Sequence, residues 1–218
     1  MELKGKKINF LGDSITEGAG TTYPAWCYVE VMKRLYGLAE ARNYGIGGTR
    51  IAHQQSPSAK ARFDLCFCGR AYDMDTSADM VVVFGGTNDY GHGDAAMGVM
   101  TDRTDDTFYG ALHNLIIALL QKYPNAQLVF MTPLHRDKEN EYYNYFGVRC
   151  AGSLEDYVNV IQEVAAYYGI PVLDLYRGSG LQPAVPELKE RYMPDGLHPC
   201  DAGHERIYSL LKGFLEKL

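Results

Sequence analysis

A serine, a histidine and a carboxylate stand in this sequence at positions where they could act together in nucleophilic catalysis. Ser14 follows the short apolar run at 7–11, while Asp195 and His198 lie three residues apart near the other end of the chain. A serine hydroxyl is a weak nucleophile that needs an adjacent base, and histidine is suited because its ordinary pKa is about 6.5. The imidazole needs a carboxylate to hold its tautomer, and one helical or 3₁₀ turn would put Asp195 and His198 on one face. These residues predict acyl transfer to Ser14.

Acyl transfer also requires hydrogen-bond donors that stabilise the negatively charged oxygen of the tetrahedral intermediate. The candidate donors are the backbone N–H of Ser14, the backbone N–H of Gly48 and the side-chain amide of Asn88. Glycine at position 48 would let the backbone approach a substrate closely. The sequence therefore predicts an oxyanion hole made by Ser14, Gly48 and Asn88.

The elements that must position these residues alternate between strands and helices. The run at 79–84 is apolar at nearly every position, which is typical of a strand that is buried on both faces of a parallel sheet. Further strands are predicted at 7–11, 41–44, 127–131 and 171–175, and helices at 24–36, 58–70, 106–122, 154–168 and 201–218. This order predicts an α/β fold with a parallel sheet of about five strands. Because parallel strands end at one edge, the loops that carry Ser14, Gly48, Asn88 and His198 should meet there.

Each of these stretches also has a purely structural interpretation. Ser14 could cap the helix that follows it, and the glycines at 45–48 could serve a tight turn. Asn88 with Asp89 could be turn residues, and His198 could cap the last helix. Together these interpretations require four coincidences at one edge of the sheet, which favours the catalytic interpretation.

Length and charge limit the class of protein. The 218 residues suit one domain over 1–218, with 46% apolar and 22% charged residues. The net charge of −6 and the absence of a long basic run argue against nucleic acid or an anionic membrane as partner. No apolar run reaches the length of a signal peptide core or a membrane helix, which predicts a cytoplasmic protein unless a leader was removed.

Metal and cofactor motifs are not evident in the sequence. The five cysteines are odd in number and lack paired CxxC spacing, which predicts free thiols. Cys66 and Cys68 alone are too little for a zinc site, and no HExxH spacing occurs, so neither a metal nor another cofactor is expected. His53, His92 and His135 fall in loops at the predicted crevice and are candidate substrate contacts.

Two long loops are predicted beside the crevice, at 87–104 and 132–147, and loops of this length are often functional. The second loop holds four aromatic residues, Tyr142, Tyr143, Tyr145 and Phe146. Their rings could stack on a sugar or cover an acyl chain, or they could anchor the loop on itself. The sequence leaves both possibilities open.

Four motifs in order resemble those of the GDSL esterases, also called SGNH hydrolases. Gly12-Asp13-Ser14-Ile15 resembles the first block and Asn43-Tyr44-Gly45-Ile46-Gly47-Gly48 the second. Gly86-Thr87-Asn88-Asp89 resembles the third block and Asp195-Gly196-Leu197-His198 the fifth. One block would be a weak signal, but four in the family's order span nearly the whole chain.

The resemblance implies a three-layer, flavodoxin-like α/β/α fold without a cofactor. It implies Ser14 as nucleophile and oxyanion donor, Gly48 and Asn88 as the other donors, His198 as base and then acid, and Asp195 as the residue that orients it. The expected substrate is a small-molecule ester, and an O-acetyl group on a carbohydrate is the first candidate. A lysophospholipase or thioesterase of the same family is the alternative. A different class, a non-catalytic flavodoxin-like module that binds an anion at the first loop, would have no use for the Asp195 and His198 pair.

Overall fold

A five-stranded, all-parallel sheet forms the centre of the computed structural model, which describes residues 2–218. Its strands are β1 (Lys7–Gly12), β2 (Glu40–Gly45), β3 (Met80–Phe84), β4 (Gln127–Met131) and β5 (Val172–Leu173). They lie in the order β2-β1-β3-β4-β5. Gly12 pairs with Gly45 on one side and Phe84 on the other, and Phe84 pairs with Met131. The first four strands therefore end level with one another, and their outgoing loops begin at one edge.

The helices cover both faces of the sheet and vary greatly in length. They are α1 (Ser14–Glu17), α2 (Tyr28–Tyr36), α3 (Phe67–Arg70), α4 (Thr87–His92), α5 (Phe108–Lys122), α6 (Leu154–Tyr167), α7 (Leu175–Gly178), α8 (Pro186–Tyr192) and α9 (Asp201–Leu215). Short 3₁₀ turns occur at Pro24–Trp26, Ala61–Asp64 and Ala71–Asp73. Within residues 2–218, no helix has both the length and the apolar character that crossing a membrane would require.

Strand β3 explains the layered core. Val81 and Val83 belong to the apolar cluster that includes side chains of α5 and α6, whereas Val82 belongs to the cluster that includes α2 and α9. Successive strand residues point to opposite faces of a sheet, so a strand that is covered on both sides must be apolar throughout. The three-layer α/β/α fold that was predicted from the sequence is confirmed.

The helix predicted over 58–70 is wrong. In its place the structure has a 3₁₀ turn at Ala61–Asp64 and the single helical turn α3. The Arg50 guanidinium donates hydrogen bonds to the Phe63 carbonyl at 2.9 Å and to the Asp64 carboxylate at 2.8 Å. The same carboxylate accepts a hydrogen bond from the Ser58 backbone N–H. The segment thus wraps around a buried arginine instead of continuing as one helix.

Other boundaries also differ from the prediction. The expected loop at 87–104 begins with helix α4, and the long connection at 176–198 contains α8. Strand β5 ends at Leu173 because the next residue, Asp174, accepts a hydrogen bond from the Arg177 N–H and starts α7. A helix of one or two turns has too few residues to show a periodic apolar pattern, so its sequence resembles a loop.

Candidate active site

Ser14 stands at the start of α1, directly beyond the carboxyl end of β1. The Asp13 carboxylate caps this helix by accepting a hydrogen bond from the Ile15 N–H at 3.0 Å. Because only one residue separates Gly12, the last residue of the strand, from the helix, the turn is tight and the hydroxyl of Ser14 projects at the sheet edge. The capping role that the sequence allowed for Ser14 is taken by Asp13.

Ser14, His198 and Asp195 form one chain of hydrogen bonds. The Ser14 Oγ lies 3.0 Å from His198 Nε2, and His198 Nδ1 lies 2.7 Å from Asp195 Oδ2. The other carboxylate oxygen of Asp195 accepts hydrogen bonds from the N–H groups of Leu197 and His198, at 2.8 and 2.7 Å. This side-chain-to-backbone turn, rather than the helical turn expected from the spacing, brings the carboxylate to the imidazole.

The ionisation of Asp195 follows from these hydrogen bonds. Burial alone would raise its pKa, but the hydrogen bonds from the backbone and the imidazole of His198 bring the pKa below its ordinary value. The carboxylate is therefore an anion at neutral pH. An anion at this position accepts the Nδ1 proton of the imidazole and leaves Nε2 free to accept a proton from the Ser14 hydroxyl.

The three predicted oxyanion donors lie close together. The Asn88 side-chain amide donates to the Thr49 carbonyl at 3.0 Å, which fixes the amide beside the loop that carries Gly48. A Cβ placed on Gly47 would lie 3.4 Å from the Ser14 Cβ, so this loop passes directly against the serine. Helices leave the N–H groups of their first turn without intrahelical acceptors, which applies to the Ser14 N–H. Within residues 2–218, the Gly48 N–H likewise donates to no backbone carbonyl.

Gly48 is required by both its backbone and its surroundings. Its φ of 81° lies in the left-handed region, where a side chain is strained. A Cβ at this position would lie only 2.1 Å from Cδ1 of the Phe63 ring. The ring of Phe63 therefore forms a wall directly against the backbone of the candidate oxyanion hole.

Two arginines that the sequence analysis did not single out hold these loops in place. Arg70 donates hydrogen bonds to the carbonyls of Tyr44 and Gly12 and to the Thr49 hydroxyl, and so joins the ends of two strands to the loop after Gly48. Arg50 has only 2% of its surface exposed, and its guanidinium holds Phe63 through the carbonyl of that residue. Isolated basic residues in a sequence are usually solvated, so no pattern indicated these roles.

Two buried carboxyl groups stand behind the site. Burial raises the pKa of Asp13 to about 6, although the Ile15 N–H and the nearby His198 act in the opposite direction. Burial also raises the pKa of Asp89 to about 6, although its carboxylate accepts hydrogen bonds from the N–H groups of Ile51 and Ala52. Asp89 thus joins α4 to the chain beyond Gly48, a role that goes beyond the turn considered from the sequence.

The loop at 132–147 contacts the turn that contains Asp195. The Asp137 N–H donates to the Gly196 carbonyl at 2.7 Å, and the Asp137 carboxylate forms an ion pair with Lys189 of α8. Gly196 has a φ of 77°, and a Cβ there would lie 2.1 Å from the Asp137 carboxylate. Asp137 and Lys189 therefore restrain the turn on which the orientation of His198 depends.

Two of the other candidate contacts, His92 and His135, have partners of their own within the loops. His92 Nδ1 accepts a hydrogen bond from the Arg50 guanidinium at 2.8 Å, and the His92 ring packs between those of Phe63 and Phe146. Burial lowers the pKa of His92 to about 4, with Arg50 acting in the same direction, so this imidazole is neutral at pH 7. His135 instead pairs with Glu139.

The aromatic residues of the loop at 132–147 are mostly exposed. Tyr142 and Tyr145 have 81% and 86% of their surface in solvent, and Tyr143 and Phe146 are also exposed. A loop anchored on its own aromatics would bury these rings, so the structure does not favour that interpretation. Phe146 extends the row of rings that begins at Phe63 and continues through His92, and the Tyr145 ring packs edge-on against Phe146.

Sequence and structure comparisons give a consistent picture. The GDSL-like lipase/acylhydrolase family matches residues 10–206. A crystal structure of a Lactobacillus plantarum protein is 31% identical, with a TM-score of 0.83, and the match covers 98% of each chain. No curated protein sequence matches the chain.

Two more distant structures share the fold. An acetyl xylan esterase is 23% identical, with a TM-score of 0.65, and the match covers 95% of this chain and 98% of that one. A two-domain esterase active on acetylated mannans is 23% identical, with a TM-score of 0.63, and the match covers 97% of this chain but 48% of the other. At this level of identity the likeness shows a common fold.

Proposed function

Since the chain belongs to the GDSL-like lipase/acylhydrolase family, a family of hydrolases that includes esterases, we propose that it hydrolyses small acyl esters through a covalent acyl-serine intermediate. The observation that carries this proposal is the chain of hydrogen bonds from Ser14 through His198 to Asp195, at 3.0 and 2.7 Å. An anion-binding module would have no need of this arrangement.

The first half of the reaction transfers the acyl group to the enzyme. As Ser14 Oγ attacks the ester carbonyl, its proton passes to His198 Nε2, and Asp195 stabilises the imidazolium that forms. The carbonyl oxygen becomes an oxyanion that accepts hydrogen bonds from the Ser14 N–H, the Gly48 N–H and the Asn88 amide. Collapse of the tetrahedral intermediate breaks the ester C–O bond, and His198 gives its proton to the departing alcohol.

The second half regenerates the serine. Water attacks the acyl-serine carbonyl while His198 Nε2 accepts its proton, and the same three donors stabilise the second oxyanion. The intermediate then releases the carboxylic acid as the proton returns to Ser14 Oγ. Each cycle consumes one ester and one water and yields one alcohol and one acid, so the proposed reaction needs no cofactor.

The surroundings of Ser14 support a short acyl group. Gly47 passes against the serine, and the Phe63 ring closes the space beside Gly48. A separate cavity of about 240 Å³ is lined by residues of α4 and of the loop at 132–147, among them Arg136, Lys138 and Tyr145. Long acyl chains need an extended apolar pocket, whereas Gly47 and the Phe63 ring limit the space beside the serine.

The alcohol side supports a carbohydrate. Exposed tyrosines on the loop at 132–147 offer flat aromatic faces, on which a sugar ring can stack. Among proteins with the same fold, one is an acetyl xylan esterase and another is active on acetylated mannans. We therefore propose carbohydrate O-acetyl groups as the physiological substrate class. We also retain from the sequence a single domain over 1–218 and a cytoplasmic location as proposals.

Chain-length preference tests the acyl half of this proposal. We expect hydrolysis of p-nitrophenyl acetate to exceed that of the butyrate and octanoate esters. The Ser14→Ala variant should retain its fold and lose turnover on all three. A preference for octanoate would instead support the lysophospholipase or thioesterase alternative, and undiminished turnover in Ser14→Ala would disprove the mechanism.

Removal of one exposed ring tests the carbohydrate half. Tyr145→Ala should raise KM for an acetylated oligosaccharide by roughly 2–10-fold, which corresponds to the free energy of an aromatic contact, and leave p-nitrophenyl acetate turnover unchanged. Tyr72→Ala is the matched control, because Tyr72 is similarly exposed but lies in the 3₁₀ turn at Ala71–Asp73. Equal KM values for the two variants would remove Tyr145 from sugar binding.

A further inference from the structure

Three potential metal ligands, from two separate segments of the chain, form a group that includes none of the proposed catalytic residues. The imidazole of His53, the thiol of Cys66 and the carboxylate of Asp105 place one ligand atom each within 4.8 Å of the others. The backbone holds the two segments together, because the His53 N–H donates to the Asp105 carbonyl at 2.6 Å. Sequence motifs did not indicate this group, because Asp105 lies far from the other two residues in sequence and His53 and Cys66 are not part of a paired motif.

All three ligand groups are available for a metal. Within the part of the chain that the structure describes, no hydrogen bond or ion pair engages the His53 imidazole, the Cys66 thiol or the Asp105 carboxylate. Neighbouring groups of the same chemistry are engaged. The Cys68 thiol donates to the carbonyls of Ile51 and Ala111, and the Asp64 carboxylate pairs with Arg50.

The types of ligand indicate which metal fits. Zinc binds histidine nitrogen at 2.0–2.1 Å, cysteine sulfur at about 2.3 Å and carboxylate oxygen at about 2.0–2.2 Å, in tetrahedral geometry. In tetrahedral geometry these bond lengths place the ligand atoms about 3.3–3.6 Å from one another. Side-chain rotations that move the ligand atoms by about 1 Å would therefore complete the site. Ca²⁺ and Mg²⁺ prefer oxygen ligands alone, which argues against them.

We propose that His53, Cys66 and Asp105 bind one Zn²⁺ ion, with water as the fourth ligand. A thiolate and a carboxylate together neutralise the charge of the ion. Binding would release the thiol proton of Cys66, so affinity should rise with pH. This site is independent of the serine chemistry and of the proposed substrate.

The position of the site suggests a structural purpose. His53 and Cys66 are the two ends of the segment 53–66, which carries Phe63 against Gly48 and Arg62 against Glu17. A metal that joins the ends of this segment closes it into a loop, and Asp105 fastens the loop to the chain just before α5. Zinc would thus stabilise the wall beside the candidate oxyanion hole without touching the substrate.

Metal titration of the full chain tests the proposal. We expect one Zn²⁺ per chain by calorimetry, and a Tm increase of about 5–10 °C when free Zn²⁺ is 100 times its Kd. Titration with Co²⁺ should give a thiolate-to-cobalt charge-transfer band in the near ultraviolet, which reports sulfur as a ligand.

Variants test whether the metal binds to these three residues rather than elsewhere on the chain. Cys66→Ser should abolish the cobalt band and weaken Zn²⁺ binding by at least about 100-fold, because loss of a direct ligand should cost more than the roughly 10–100-fold that loss of an outer-shell partner costs. His53→Gln, at an exposed position, should weaken binding similarly and guards against a folding defect in the first variant. Cys150→Ser and Ser14→Ala should bind as the wild type does. Absence of binding in the wild type, or unchanged binding in both Cys66→Ser and His53→Gln, would overturn the proposal.

Discussion

Replacement of Gly48 by alanine tests the candidate oxyanion hole with a magnitude that follows from the structure. The new methyl group would lie 2.1 and 2.2 Å from two carbons of the Phe63 ring, where about 3.5–4.0 Å is normal, so ring or loop must move by about 1.5 Å. The left-handed φ of 81° adds about 1–2 kcal/mol of strain. Overpacking of this kind adds about 1–3 kcal/mol, so we expect a loss of stability of about 2–5 kcal/mol.

The same movement should displace the Gly48 N–H from the oxyanion. Removal of one such donor costs about 10²–10³ in kcat, and we expect this loss for Gly48→Ala on p-nitrophenyl acetate. Urea denaturation measures stability in parallel, so the folded fraction under assay conditions can be held constant. Gly213→Ala is the control, because a Cβ there meets no atom within 4 Å and the position lies inside helix α9.

A second variant separates the clash from the strain. In the double variant Phe63→Ala/Gly48→Ala, the new methyl group no longer meets the ring of residue 63. Its kcat should therefore be higher than that of Gly48→Ala alone, although the strain of the left-handed backbone remains. Wild-type kcat in Gly48→Ala, together with the expected loss of stability, would refute the assignment of its N–H as an oxyanion donor. Equal kcat losses in the single variant and in the double variant would refute the role of the Phe63 wall.

Three further predictions concern neighbouring side chains. Asn88→Ala should lower kcat by about 10²–10³ with little change in KM, and a wild-type kcat would remove this amide from the mechanism. Asp195→Asn should lower kcat by about 10²–10³. A buried triad carboxylate is worth about 10⁴ in kcat, and we expect less here because the Asp195 side chain is more than half exposed. A loss of kcat below tenfold would contradict the orienting role of Asp195. Asp89→Asn should flatten the dependence of stability on pH. The Asp89 carboxyl keeps its proton to about pH 6 in the folded protein but only to about pH 3.8 in the unfolded chain. As pH rises between these values, the free energy of unfolding of the wild type should fall by up to about 3 kcal/mol relative to that of the variant. If urea denaturation shows that the free energy of unfolding depends on pH to the same extent in both proteins, this prediction is wrong.

Much of the fold could be predicted from the sequence because its signals are local. The apolar run of β3 indicated a strand covered on both faces, and the alternation of strands with helices then required a parallel sheet. The prediction of a helix over 58–70 was wrong for the opposite reason. The conformation of these residues depends on Arg50, a residue from another segment, and no pattern of neighbouring residues reveals such a dependence.

In the candidate site, too, some features could be predicted from the sequence and others could not. Topology alone brings Ser14, Gly48, Asn88 and His198 to one edge, and the structure has them there in hydrogen-bonded or adjoining positions. Their supports, such as Arg70, could not be predicted, because they act through single long-range contacts with backbone carbonyls. Long-range hydrogen bonds of this kind leave no periodicity or spacing in the sequence.

Reaction with a fluorophosphonate tests the central claim most directly, because this reagent forms a stable bond with an activated serine. We expect one phosphonyl group per chain, located on Ser14 by peptide mass spectrometry, with loss of ester hydrolysis in proportion to labelling. His198→Ala should suppress the labelling, since the hydroxyl would then lack its base. Label on another residue, or ester hydrolysis that persists when Ser14 is fully modified, would contradict the account.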